Sequence, residues 1–106
     1  MRKVKIEKWK ARDKEGKEYD ETILIALNVL ISNKKPEEIP RGLDKFRLFS
    51  RITKAFEKAD TSGELILEEA DYTFLKDMIE KDIPSVWGAN DNILKAVEAF
   101  LEAKQE

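Results

Sequence analysis

Two residue types are missing from this chain altogether. There is no cysteine, which removes disulfides, thiolate nucleophiles and sulfur ligands for a metal. There is no histidine, which removes the commonest general base and the commonest transition-metal ligand. Glycine is sparse and its copies stand apart, so no glycine-rich loop can cradle a phosphate. The longest apolar run, Ile23 to Leu27, is far short of the ~20 residues that a membrane span requires. The basic N-terminus is followed by no apolar segment of the signal-peptide kind. The expectation is a cytoplasmic chain with no membrane partner, no cofactor and no metal. Enzyme chemistry would have to rest on carboxylates, lysine or hydroxyls. The acidic cluster Glu64, Glu68, Glu69 and Asp71 is accounted for by a helix N-terminus, where the macrodipole favours carboxylates. No catalytic residue is assigned, and the chain is read as non-enzymatic.

Charge is what the chain has in abundance. Charged residues make up 40% of it, yet the formal net charge is only −2. Their distribution is uneven. Residues 1–17 carry eight basic and three acidic side chains, whereas residues 60–106 carry four and twelve. A basic beginning and an acidic end either face each other in the fold, solubilise it, or offer a basic face to an acidic partner. At 106 residues the chain suits a single domain, 1–106, with a β-hairpin over 1–20 and a helical part over 21–106. The predicted class is α+β, mainly α: a small four-helix domain with an N-terminal β-hairpin packed on it.

The organising stretch is Leu43 to Lys81. Phe46, Phe49, Ile52, Phe56 and Ala59, with Leu48 and Ala55 beside them, recur at the helical period. Leu67, Ala70, Phe74, Leu75, Met78 and Ile79 do the same in a second arm, which Ile83-Pro84 should end. Across from the first apolar arc, Arg47, Arg51, Lys54 and Lys58 form a narrow basic stripe. Between the arms, Gly63 suits a helix C-terminus followed by an extended segment, Glu64 to Leu67. With Gly63 taken as a calcium-loop glycine, Asp60, Ser62, Glu64 and Glu69 fall near liganding positions, and the break resembles an EF-hand. Lys58 stands where that pattern needs its first aspartate, so the resemblance implies a degenerate helix-loop-helix.

The flanks are read more simply. Val4 and Ile6, then Trp9 and Ala11, suggest a strand with a shift of parity near Glu7-Lys8. Asp13 to Gly16 is a turn, and Lys17 to Tyr19 the returning strand. A two-stranded hairpin is marginal alone, so it should lie on the helices through Val4, Ile6, Trp9 and Tyr19. Asp20 or Thr22 caps Ile23 to Ser32, which is read as a buried helix, with a buried strand as the alternative. Asn33 to Gly42 is a connector containing Pro36 and Pro40. Trp87 plugs the turn before the last helix or anchors an interface. Asn90 or Asp91 caps that helix, whose stripe is Ile93, Leu94, Val97, Phe100 and Leu101, and the last four residues fray.

Two partner classes follow. A protein partner would use Arg47, Arg51, Lys54, Lys58 and Trp87, with self-association a further option. A nucleic acid would use the hairpin cations Lys3, Lys5, Lys8 and Lys10 together with the stripe Arg47, Arg51, Lys54 and Lys58, with Trp9 stacking a base. The phrases Pro40-Arg41-Gly42-Leu43-Asp44 and Ile83-Pro84-Ser85-Val86-Trp87-Gly88 resemble those of short accessory proteins encoded by phages and prophages. That resemblance implies a role in virion assembly or in binding a host factor.

Overall fold

The structure, a computed structural model, describes residues 1–35, 37, 39 and 41–104. The expectations for Pro36, Pro40 and the last two residues lie outside them. Among the described residues four α-helices carry the fold, α1 (Ile23–Ser32), α2 (Leu43–Ser62), α3 (Glu69–Asp82) and α4 (Asp91–Leu101). Four short strands accompany them, β1 (Arg2–Lys5), β2 (Trp9–Arg12), β3 (Glu18–Glu21) and β4 (Glu64–Leu67). The class is α+β, mainly α.

Each helix starts and stops for a local reason. The Thr22 hydroxyl accepts from the Leu24 N–H and caps α1, which settles Ile23 to Ser32 as helix. Gly63 takes the left-handed conformation at φ 80° and donates to the Ala59 carbonyl, closing α2. Ile83 is extended ahead of Pro84 and ends α3. The Asn90 side chain accepts from the N–H groups of Asn92 and Ile93 to start α4. Residues 58–69 thus form a helix end, a strand and a helix start. The EF-hand-like loop is absent: Asp60 and Ser62 belong to α2, and the Glu69 carboxylate is taken by Arg2.

The N-terminal segment divides in two. β1 pairs antiparallel with β4, setting Val4 opposite Leu65 and Lys5 opposite Glu64. β2 and β3 form the hairpin that was expected, with Trp9 opposite Glu21 and Ala11 opposite Tyr19. Gly16, at φ 85°, sits in its turn. One side of the β1–β4 sheet sends Val4, Leu65 and Leu67 into the core, where α2 lies along β4. The core also takes α1 residues such as Leu27, with Ile52 of α2, Leu75 of α3 and Phe100 of α4. The hairpin contributes no residue to that core. Val4 and Ile6 make the expected contacts with the helical body, but Tyr19 is exposed. Its side chain has only the hairpin's own narrow ribbon behind it.

Three apolar assignments shift for geometric reasons. Phe46 is 72% exposed, because it lies roughly 120° around α2 from Ile52 and off the buried line Leu48, Ile52, Phe56, Ala59. On α3 the buried line runs Tyr72, Leu75, Met78, Ile79, and Ala70, on the other side of the first turn, is exposed. Leu67 is a strand residue rather than part of that helix.

Arg2 fastens β1 to the far end of the chain. Its guanidinium donates twice to the Glu69 carboxylate, at 2.9 Å each, and once to the Ala103 carbonyl. It also lies 4.7 Å from the centre of the Tyr72 ring. The Tyr72 hydroxyl donates to the Phe100 carbonyl at 2.7 Å, satisfying a main-chain acceptor at the end of α4. The hydrogen bond from Arg2 holds the Glu69 carboxyl below its ordinary value of 4.5, against the opposing effect of partial burial. A carboxyl whose pKa is lower folded than unfolded stabilises above its unfolded pKa and loses that contribution as pH falls through the folded one. Glu69→Gln should therefore flatten the acid limb of stability. Denaturant midpoints taken from about pH 5 to about pH 3 should fall less steeply than those of the parent. Equal slopes would show that the pair does not couple to folding.

Candidate functional site: a lysine-lined groove between β1 and α4

The four cations of the α2 stripe differ in their surroundings. Arg51 turns back onto the protein, its Nη2 donating to Asp71 Oδ1 at 2.8 Å and its Nε to Oδ2 at 3.1 Å. Glu68 stands 3.6 Å away. Asp71 is buried at 2% exposure, so Arg51 serves as the counter-ion of an interior carboxylate. Arg51→Ala should lower the melting temperature clearly more than Arg47→Ala on the same stripe, because only the former strands a buried charge. Indistinguishable melting curves would reduce Arg51 to a solvated cation. Arg47, Lys54 and Lys58 are exposed. Trp87 lies on the 3-10 turn Ser85–Ala89, half-buried and packed against the core, as a plug. The five expected protein-binding residues therefore split between a surface, an internal ion pair and a core contact.

The hairpin cations divide too. Lys10 pairs with Asp20 at 2.6 Å and Arg12 with Glu18 at 3.6 Å, across the strands. That contact holds the Asp20 carboxyl below its ordinary range, first through the hydrogen bond from Lys10, with Lys8 adding a smaller attraction. The hairpin is thus largely neutralised by its own β3.

Lys3, Lys5, Lys8 and Trp9, by contrast, come together. They line a groove of about 360 Å³ with Lys95, Asn92, Ala96 and Ala99 of α4. Val4 and Ile23, both buried, form its apolar floor, the two alanines line its α4 side, and Glu7 is the one carboxylate among the lining residues. The volume is that of a small ligand site. Trp9 is fixed as a wall, since its Nε1–H donates to Glu21 Oε2 at 2.8 Å. Four cations against one anion around an apolar floor favour a ligand with negative charge on its outside and hydrocarbon beneath.

The α4 side of the groove was hidden in the sequence. Lys95 appears there as a solvated residue off the apolar stripe, and nothing local ties it to Lys5 or Lys8. The half-buried Ala96 facing the groove was the available signal, a small residue beside that stripe. No group of three or more acidic side chains placed to hold a metal occurs among the described residues. No helix among them is long and apolar enough to cross a membrane. Comparison with protein-family models, with curated proteins and with solved structures gave no match.

Proposed function

We propose that this protein is a non-enzymatic interaction module that holds an acidic segment of a partner protein in the groove beside Trp9. The observation that carries the reading is the groove itself, with lysines around its edge, Val4 and Ile23 beneath, and Ala96 and Ala99 on its α4 side. A protein segment supplies carboxylates and hydrocarbon in one strip, which matches both parts. A nucleic-acid backbone would meet the lysines too, but its phosphates and sugars offer no hydrocarbon side chain to Val4 and Ile23. The resemblance to phage accessory proteins makes a virion component or a host factor the natural source of the segment.

The test is selection from a random peptide library near physiological salt. Peptides rich in Glu, Asp and apolar residues should be enriched. The variant Lys8→Glu/Lys95→Glu should bind them at least about tenfold more weakly, since opposite charge has become like charge. Reversal on α2, as Arg47→Glu/Lys54→Glu, should leave them bound. Dependence on the α2 pair instead would move the site to that helix. Oligothymidylate binding that competes with the peptides and weakens steeply with salt would replace a protein partner with a nucleic acid.

A further inference from the structure

The register of β1 says how a segment would lie in that groove. Ile6 N–H donates to the Gly63 carbonyl at 2.8 Å. In an antiparallel pair, hydrogen-bonded and non-hydrogen-bonded positions alternate. Val4, opposite Leu65, therefore turns its main-chain groups to β4, while Lys5, opposite Glu64, turns its N–H and C=O away from β4. The sheet has the order β1-β4, and among the described residues no strand pairs with the other edge of β1. The groove is lined by the consecutive residues Lys3, Val4 and Lys5 on one side and by α4 on the other, so that edge borders it.

Resting on the groove reading above, we infer that the partner segment binds as an added β-strand along β1, with acidic and apolar residues in alternation. Main-chain hydrogen bonds to Lys5 would supply affinity, and the pleat would sort the side chains. Side chains of an added strand point alternately to the two faces of the sheet. Those on the Val4 face meet Ile23, Ala96 and Ala99, and are apolar. Those on the Lys5 face meet lysines, and are acidic. Ala96 and Ala99 leave room for this on the α4 side, where larger residues would fill the groove.

The probe is a short fluorescein-labelled peptide of alternating glutamate and valine, with fluorescence anisotropy as the readout. A control peptide has the same composition arranged as a block of glutamates followed by a block of valines. The alternating peptide should bind at least about tenfold more tightly, because only it presents one chemistry to each face. N-methylation of alternate peptide nitrogens should abolish binding in one phase and spare it in the other. On the protein, Lys5→Pro removes the outward N–H without breaking a bond to β4, and should weaken binding well beyond Lys5→Ala. Equal binding of the two peptides, or an N-methyl scan without phase, overturns the added strand while leaving the groove in place. Insensitivity of both peptides to Lys8→Glu/Lys95→Glu overturns the groove reading itself. The N-methyl scan needs no change to the protein, so it decides the matter even where Lys5→Pro fails to fold.

Discussion

Phe100→Ala is expected to cost about 3–5 kcal/mol, the range for truncating a fully buried aromatic. Phe100 has no exposed surface and is the single fully buried side chain of α4. Its ring stacks on Tyr72 at 4.9 Å between centroids, with an interplanar angle of 20°. The neighbours on its stripe are only half-covered, and Leu94 is 40% exposed. Ala96, Val97 and Leu101 pack on the core only in part, so Phe100 is the deepest anchor of α4. Domains of this size are stable by only about 5–15 kcal/mol, so the loss is a large share of the whole. Urea denaturation followed by circular dichroism should show a much lower midpoint. Tyr72→Phe keeps the ring and removes the hydroxyl that reaches the Phe100 carbonyl, and should cost only about 1 kcal/mol. A Phe100→Ala cost as small as that would mean that α4 is held by its half-buried residues instead.

The second large effect separates the two pieces of the N-terminal segment. Val4 and Ala11 both occupy hydrogen-bonded positions of antiparallel pairs, judged from the Ile6–Gly63 and Asp13–Lys17 bonds beyond them. Proline at either removes a ladder donor and forces a φ unsuited to the strand. Val4→Pro leaves a buried acceptor on β4 unpaired and disturbs a side chain that is 4% exposed, so it should cost about 3 kcal/mol or more. Ala11→Pro breaks the hairpin, which contributes nothing to the core, and global stability should change by only about 0.5 kcal/mol. With Trp87→Phe as background, Trp9 fluorescence should report a hairpin that melts ahead of the helical circular dichroism signal. Coincident transitions, or equal costs for the two prolines, would show that the hairpin belongs to the cooperative unit.

Much of the helical part was legible because its signals are local. Gly63, Pro84 and Asn90 act within a few residues of themselves, and the structure uses each where the pattern puts it. Burial was less legible at arc edges. Phe46, placed on the apolar arc of α2, is exposed, and Tyr72, outside the apolar set read for α3, is buried, because period alone fixes the direction of the core only to about one residue, or about 100°. Asp71 was read as a first-turn acid, which it is, but its burial against Arg51 depends on how α2 and α3 lie together. The basic stripe is thus present as a pattern, with one of its four cations, Arg51, engaged by an interior carboxylate.

By itself the sequence determined the helical stops at Gly63 and Pro84, the start at Asn90, the β2–β3 turn and the absence of thiol and imidazole chemistry. Each of these depends on residue type or on spacings of a few positions. Only the tertiary structure decided that β1 leaves its neighbour β2 to pair with β4, and that Arg2 reaches Glu69 and Ala103, 67 and 101 positions away. The same packing brought Lys95 opposite Lys5 and made a groove of residues unremarkable one by one. The physical reason is that strand pairing and the docking of α4 are chosen by the summed burial of many side chains, which no short window of sequence contains.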